Sequence, residues 1–309
     1  MDTIARRPLK IVLLGSGGQV GRELLGPLAA VGELVACDRS RADLERPEEV
    51  VELLRRERPR VIVNAAAYTA VDRAETDPDR ARLVNATAVG RIAAEAARQE
   101  ATLVHYSTDY VFDGTKDGCY VEADEPHPLS VYGATKLEGE RLIGSSGCRH
   151  WVFRTTWVYA AHGHNFVRTM LRLAQERDEL RVVADQFGAP TPASLIATVT
   201  ARFVGGLTGA AAAPESGLYH LAPHGETSWH GFARHVLAAA RDRGLPLRVD
   251  LPQVLPIPTS DYPLPARRPR NSRLCTTKLE AALGRRLPDW QDDVLTVVAA
   301  LVNESSSAS

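Results

Sequence analysis

Residues 9–21 read LKIVLLGSGGQVG, a short apolar run that breaks into glycines and then turns helical. The apolar part, Leu9 to Leu14, has the length of a buried strand rather than of a helix. Gly15, Gly18 and Gly21 follow at intervals of three. That spacing serves a tight turn, a close backbone approach to a pyrophosphate, and close packing of a helix on the strand, with the helix N-terminus facing the anion. A glycine-rich turn alone is common; its place between a first strand and a first helix gives this one a dinucleotide-binding meaning. Asp38 ends the next strand, 23 residues after Gly15, where a carboxylate can hold the adenosine ribose hydroxyls. Arg39 follows directly and can accept a 2′-phosphate, so NADH and NADPH both remain open as the cofactor.

The alternation continues outward from this turn. A helix is expected from about Gln19 to Ala30, then a strand at ELVAC (33–37), a helix from Pro47 to Arg58 and a strand at RVIVN (60–64). A long Ala-rich helix from about Asp77 to Gln99, a strand at ATLVHY (101–106), a helix around Tyr132 and a strand at WVFR (151–154) complete the series. Apolar runs separated by helices indicate a parallel sheet covered on both faces, since parallel strands need such crossovers. We expect an α/β, doubly wound, Rossmann-like sheet with a smaller interleaved substrate-binding lobe. After about Trp157 the rhythm weakens and Pro and Gly become frequent, as in the segment 251–272, a composition typical of surfaces that wrap ligands. The expected division is a dinucleotide-binding domain at 1–156, completed by later helices around 191–206, a mainly substrate-binding lobe at 157–302, and a frayed polar tail at 303–309.

Composition narrows the function. Of 309 residues, 44% are hydrophobic and 24% charged, as in ordinary globular chains. The 37 basic and 38 acidic residues leave a formal net charge of −1, which argues against a nucleic-acid footprint and against a polybasic membrane surface. Most of the basic residues are Arg, which we read as GC-rich coding rather than as function. Cys37, Cys119, Cys148 and Cys275 form no C-x-x-C pair, so neither a disulfide framework nor a zinc knuckle is expected, and a reducing compartment fits. Residues 1–8 hold no apolar run of signal-peptide length, and no apolar stretch is long enough to cross a bilayer. A cytoplasmic soluble protein is the expectation.

The chemistry is carried by two further stretches, STDYVFDG (107–114) and VYGATKLEGE (131–140). In an open parallel sheet ligands bind beyond the carboxyl ends of the strands, which brings Ser107, Thr108 and Asp109 beside the cofactor. Tyr132 and Lys136, four apart, share one face of a helix. A Tyr can donate a proton to a carbonyl oxygen as hydride arrives, but its ordinary pKa near 10 is high for exchange at neutral pH. A cation one turn away favours the phenolate, so Lys136 is expected to draw the Tyr132 pKa down. The lysine can also bind the nicotinamide ribose, and the Thr108 hydroxyl can hold the substrate carbonyl.

Together GxxGQxG, NAAAYTAVD, STDYVFDG, VYGATKLEGE and RTTWVY resemble the extended short-chain dehydrogenase/reductases, and more narrowly the dTDP-4-dehydrorhamnose reductase family. NFVRTMLRLA, VVADQFGAPT, GLYHLA and RRPRNSRLCTTKL extend the resemblance to about Trp290. It implies NAD(P)H-dependent reduction of the 4-keto group of a dTDP-sugar. It implies Gly18, Gln19 and Val20 along the cofactor phosphates, Asp38, Asp43 and Leu44 around the adenosine, and Ala65, Ala66 and Ala67 on the nicotinamide side. Thr108, Tyr132 and Lys136 would be the catalytic set. Thr108 and Asp109 would touch the sugar, Trp157 would close over it, and Gln186 and Arg268 would reach the nucleotide diphosphate.

Some members dimerise through a magnesium site built from glutamates. Glu23 matches one of these, but Ser194 stands where another would fall, so a homodimer remains possible while bridging magnesium is doubtful. A related ketoreduction in antibiotic assembly, such as that leading to dihydrostreptose, would share most substrate groups. A non-catalytic subunit like the beta subunit of methionine adenosyltransferase is a reading from another class, against which an intact Thr108, Tyr132 and Lys136 set argues. His220, His224, His230 and His235 lie close in sequence without a carboxylate or Cys at ligand spacing, and no metal site is assigned to them.

Overall fold

The computed structural model describes residues 9–209 and 213–307. Residues 1–8, read above as lacking a leader-like run, and 308–309 of the expected tail lie outside the described residues. Strand β1 (Lys10–Leu14) leads through the glycines into α1 (Gln19–Ala29), followed by β2 (Glu33–Cys37), α2 (Pro47–Glu57) and β3 (Val61–Asn64). Helices α3 (Val71–Ala74) and α4 (Pro78–Arg82) run through a π turn (Leu83–Thr87) into α5 (Ala88–Arg98). Then come β4 (Thr102–Thr108), α6 (Val131–Ser145), β5 (His150–Thr155), β6 (Val158–Tyr159), α7 (Phe166–Glu176), β7 (Leu180–Val183), β8 (Phe187–Gly188) and β9 (Thr191–Pro192). The chain ends with α8 (Ala193–Gly205), β10 (Gly217–His220), β11 (Thr227–Ser228), α9 (Trp229–Asp242), β12 (Val254–Ile257), α10 (Thr277–Leu283) and α11 (Trp290–Ser307).

The main sheet has the order β10-β5-β4-β3-β1-β2, and its pairings are all parallel. Strand order reverses at β1, so the crevice beyond the carboxyl ends of β1 and β3 is the switch point where such sheets take ligands. Ile11, Val12, Leu13 and Leu14 are all 0% exposed, which requires cover on both faces. On one face Leu13, Val63, Val104 and Phe153 meet Leu24 and Leu28 of α1 and Ile196 and Phe203 of α8. On the other, Val12, Ile62, Leu103 and Val152 meet Leu54 of α2, Ile92 of α5 and Ile143 of α6.

Three features depart from the sequence expectation. The sixth strand, β10, and the α10 leucines Leu279 and Leu283 come from the stretch assigned mainly to the second lobe, yet they complete the first. GLYH is too short an apolar run to be told from a loop by pattern. The second lobe keeps its own core of Tyr159, Val167, Phe232, Val236, Trp290 and Val294. The tail is not frayed from residue 303, because α11 runs on to Ser307 with neither Gly nor Pro to stop it. The Ala-rich helix is interrupted by the π turn, which turns Asn85 onto the chain after β3: its side chain bonds both the Tyr68 N–H (2.9 Å) and the Tyr68 carbonyl (3.0 Å).

The switch point is held by backbone against backbone. Gly15 has φ +80°, and a Cβ there would lie 2.6 Å from the Ala66 nitrogen; one on Gly21 would lie 2.0 Å from the Gly15 carbonyl oxygen. A methyl group at position 21 must push α1 off β1, so Gly21→Ala is expected to lower stability by about 1–3 kcal/mol or more. Gly144, near the end of α6, has open space around its Cα, and Gly144→Ala should raise stability by about 0.5–1 kcal/mol through helix propensity alone. Urea midpoints of the two variants checked against the parent would test this opposite-signed pair.

Candidate active site

The turn after β1 has the chemistry of an anion cradle. Gly15 and Ser16 N–H groups both bond the Cys37 carbonyl, at 2.8 and 3.0 Å, which pins the turn to β2. Helix α1 then starts at Gln19 with no side-chain cap and no acidic residue in its first turn. The N–H groups of Gln19, Val20 and Gly21 therefore face outward at the positive end of the helix dipole. A Cβ at Gly18 would meet only the Gly15 oxygen, at 3.5 Å, so the space over the turn is open to a phosphate. These residues fit a dinucleotide pyrophosphate.

At the end of β2, the Asp38 carboxylate accepts from Ser40 N (3.0 Å) and Ser40 Oγ (2.6 Å), and these bonds hold it below the usual carboxylate range. Arg39 is tied to Asp43 at 3.5 Å and to Glu45, which also holds Arg80 at 2.7 Å. Leu44 is buried in the core and offers the least surface of the residues expected around the adenosine. Ala65, Ala66 and Ala67 line the loop after β3, half-buried, with Ala65 N bonded to Leu14 O at 2.9 Å.

The structure brings Thr108, Tyr132 and Lys136 together where β4 ends under α6. Helix α6 is capped by Ser130, whose Oγ accepts from Gly133 N at 3.2 Å, and it turns Tyr132, Lys136 and Glu140 toward the sheet. Thr108 Oγ1 accepts from Tyr110 N and donates to Asp109 Oδ1, both at 3.2 Å, and its hydroxyl lies near the Tyr132 phenol. Burial pushes the Tyr132 phenol up to about 12, against the pull of the Thr108 hydroxyl. Lys136 is 1% exposed; its Nζ stands 2.6 Å from the Tyr106 carbonyl and 3.0 Å from His105 Nε2. Burial brings it down to about 8, with Glu140 opposing. The expectation that Lys136 draws the Tyr132 proton off is therefore corrected. Desolvation dominates, because the lysine is turned to the strand carbonyl and the phenol keeps its proton at neutral pH.

At the carboxyl ends of β4 and β5 lie the buried polar residues Ser107, Thr108, Asp109, Thr155 and Thr156. Polar groups gathered at the carboxyl ends of parallel strands suit a polar ligand at this place. A cavity of about 820 Å³ opens on the second-lobe side, with Phe166, Arg177, Gln186, Trp229, Arg267 and Arg268 in its wall. Gln186 is buried, accepting from Trp229 Nε1 (3.2 Å) and donating to Thr259 Oγ1 (3.1 Å). The Arg268 guanidinium reaches the cavity but is already engaged by Asp72 at 2.8 Å. Trp157 stands behind the wall: it stacks on Trp229 with centroids 3.7 Å apart, and its φ of +47° is strained for a bulky side chain. Sequence reasoning passed over Trp229, which TSWHGFARH presents only as the start of a helix. It also passed over Asn64 and His105, although a polar residue inside each of two apolar strands was the available signal.

The four clustered histidines have separate surroundings. His220 faces the Tyr120 carbonyl (3.0 Å), His224 pairs with Asp289 (3.2 Å), His230 faces the Val254 carbonyl (2.9 Å), and His235 lies on Trp290. Among the described residues no group of three or more His, Cys, Asp or Glu could hold a metal ion. Glu23 is taken up by His162 at 2.9 Å, and Ser194, exposed on α8, brings no carboxylate. Among the described residues no helix is long and apolar enough to cross a membrane.

A sheet that opens its switch point over a glycine turn, and sets a hydroxyl, a phenol and a lysine beside it, is that of a short-chain dehydrogenase/reductase. The family model described as "RmlD substrate binding domain" matches residues 9–303. The chain is 49% identical over 300 residues to a dTDP-4-dehydrorhamnose reductase of Burkholderia thailandensis, covering 96% of this chain and 100% of that one. It is 48% identical over 288 residues to that of Escherichia coli K12, covering 92% and 95%. The crystal structure of a Bacillus anthracis dTDP-4-dehydrorhamnose reductase in complex with NADP superposes with a TM-score of 0.84 at 31% identity, over 93% of this chain and 98% of that one. The chain belongs to the dTDP-4-dehydrorhamnose reductase family.

Asp109 gives a stability signature. Burial raises its carboxyl to about 6, from 3.8 when unfolded, with the Ser272 and Thr108 hydroxyls pulling the other way. Between these values a rise in pH ionises the unfolded chain first, so the folded state loses stability as pH climbs from about 4 to about 6. Asp109→Asn should remove that loss. Its stability advantage over the parent is expected to be near zero at pH 4 and of order 2–3 kcal/mol at pH 7, as urea midpoints at the two pH values would show.

Proposed function

We propose that the protein reduces the 4-keto group of dTDP-4-dehydro-L-rhamnose to give dTDP-L-rhamnose, using NADPH or NADH. The observation that carries this reading is whole-length 49% identity to a dTDP-4-dehydrorhamnose reductase, in a chain that sets Thr108 at the end of β4 and Tyr132 on the first turn of α6. When bound, the nicotinamide supplies a hydride to the carbonyl carbon. The residues of this chain do the rest. The Gly15–Gly21 turn and the α1 N-terminus hold the pyrophosphate, Asp38 with Asp43 holds the adenosine ribose, and Ala65–Ala67 let the nicotinamide pass close to the backbone. Thr108 hydrogen-bonds the carbonyl oxygen and Tyr132, protonated at neutral pH, gives that oxygen its proton. Lys136 supports the nicotinamide ribose. Asp109, with the Ser272, Thr108 and Thr156 hydroxyls around it, faces the sugar.

The cavity walled by Phe166, Trp229 and several arginines suits the nucleotide diphosphate: an aromatic surface for the base, guanidinium groups for the phosphates. Arg177 and Arg267 are better placed for this than Arg268, whose charge Asp72 already balances. A cytoplasmic location fits four free cysteines. With Glu23 held by His162 and Ser194 in place of a carboxylate, we propose no magnesium bridge between copies.

Turnover of NADPH with the sugar nucleotide, and identification of the product by NMR, tests the reading directly. Tyr132→Phe removes only the proton donor and should cut turnover by a factor of roughly 10² or more while leaving cofactor binding nearly intact. Near-parent turnover under chemistry-limited conditions would take the role away from Tyr132.

Cofactor choice is expected to be loose. Asp38 repels a 2′-phosphate, while Arg39 beside it attracts one against the pull of its acidic neighbours Asp43 and Glu45. Asp38→Ala should shift the ratio of kcat/KM values toward NADPH; an unchanged ratio would exclude Asp38 from the ribose site.

A further inference from the structure

Lys136 is not alone under the sheet. Asn64 and His105 are each 1% exposed, as Lys136 is. Asn64 and His105 are direct partners in the parallel pairing of β3 with β4, so their side chains emerge side by side on the α6 face. Four contacts join them in a line. The Ala66 N–H donates to Asn64 Oδ1 at 3.1 Å, Asn64 Nδ2 lies 3.2 Å from His105 Nδ1, His105 Nε2 lies 3.0 Å from Lys136 Nζ, and Lys136 Nζ donates to the Tyr106 carbonyl at 2.6 Å.

Donor and acceptor roles along this line are constrained from its outer end. A backbone N–H can only donate, so Asn64 presents its oxygen to Ala66 and its NH2 to the imidazole. His105 Nδ1 must then accept, which leaves the imidazole proton on Nε2. An Nε2–H group facing Lys136 can only donate, and an ammonium has no lone pair with which to accept. The line is satisfied when Lys136 is a neutral amine that accepts from His105 and donates to Tyr106. The opposite arrangement needs the imidazole proton on Nδ1 and the Asn64 amide reversed, which sets two donors against each other at Ala66.

We propose that His105 is a positioning residue: held in its Nε2–H form by Asn64, it sets the protonation of Lys136 from the loop after β3. The proposal rests on the catalytic reading of Lys136 given above. Two shifts agree in direction, since burial carries His105 well below its ordinary value and Lys136 down to about 8. The other groups around Lys136 are accounted for. On its own helix Tyr132 keeps its proton, and Glu140 is locked to Arg154 of β5 at 2.6 Å. Asp109 lies beyond the end of β4. Glu75, after α3, accepts the Val131 N–H at 2.9 Å, and Glu138 pairs outward with Arg82 of α4 at 2.8 Å. In the reaction the charged lysine binds the ribose more strongly than the amine does, so loss of the ammonium forms the alkaline limb of the rate profile.

Two measurements test the proposal. In the first, 15N-labelled histidine in the parent protein alone, assigned by backbone-to-side-chain correlation, should show His105 as the neutral Nε2–H tautomer from pH 6 to 8. An Nδ1–H tautomer or an imidazolium would overturn it. In the second, single-turnover hydride transfer is followed against pH for the parent, His105→Gln and Lys136→Met. Glutamine can turn a carbonyl oxygen to Nζ and favour the ammonium, so the alkaline limb should move up by about one pH unit. A lower rate with the limb unmoved would reduce His105 to a structural residue and overturn the proposal. Lys136→Met with parent rate and profile would instead overturn the catalytic reading of the lysine, an outcome that the tautomer measurement cannot produce.

Discussion

Helix α6 lies on the sheet with polar side chains inward, and this one contact joins the fold to the chemistry. Tyr132, Lys136 and Glu140 form a stripe one turn apart, and a stripe of that kind can be buried only if the strands beneath answer it group by group. They do so in register: the Tyr106 carbonyl and His105 of β4 take Lys136, and Arg154 of β5 takes Glu140 at 2.6 Å. Removing any one partner leaves a buried charge or donor without an answer, which costs far more than an exposed pair is worth. The helix is thus located along the sheet by polar matching as well as by the apolar contact of Ile143. That location brings the Tyr132 hydroxyl to Thr108.

How much of this was legible in sequence depends on the range over which each signal acts. The strands, the glycine turn and the Tyr-Lys spacing are local patterns, and the doubly wound sheet with its switch point follows from them. The roles of single side chains are not local. Arg268 reads as a phosphate ligand because it is an arginine in a loop, but its partner Asp72 lies 196 residues away in the chain. Asn64, His105 and Lys136 belong to three separate elements, and only the β3–β4 register shows that they touch. The Lys136–Tyr132 pair was legible as a neighbour relation, while its electrostatics were not: spacing carries no information about desolvation, and desolvation decides the sign of the Tyr132 shift. β10 escaped notice for another reason, since four residues at a sheet edge carry too little pattern to be read.

The second lobe is organised by aromatic stacking rather than by a sheet. Trp157, just after the end of β5, takes a left-handed backbone conformation, and its indole lies flat between Trp229 and the surface at Gly188, where a Cβ would come within 2.9 Å. Strain of this kind, of order 1–3 kcal/mol, persists only where its surroundings over-determine it. Here they do, since Gln186 fixes the Trp229 indole N–H and Phe166 packs on the same ring at 4.7 Å. The strained residue therefore links the catalytic end of the sheet to the wall of the cavity. A shift of α9 would be felt at the end of β5 within a few ångströms of Thr155 and Thr156.

The titratable groups of the site divide by burial. Under the sheet, His105 is neutral and Tyr132 holds its proton, while burial brings Lys136 down to about 8 and Asp109 up to about 6. In the second lobe Arg177, Arg181 and Arg267 line the cavity. The proposed substrate has the same division, with an uncharged keto sugar at one end and a diphosphate at the other. Hydride addition to a ketone creates an oxyanion in the buried compartment, where a low dielectric makes it costly unless a proton meets it at once. A phenolate at Tyr132 would repel that oxyanion and have no proton to give. A phenol whose pKa burial has raised keeps its proton until the alkoxide, a stronger base, forms within reach. Seen this way, the raised pKa of Tyr132 suits the direction of reduction.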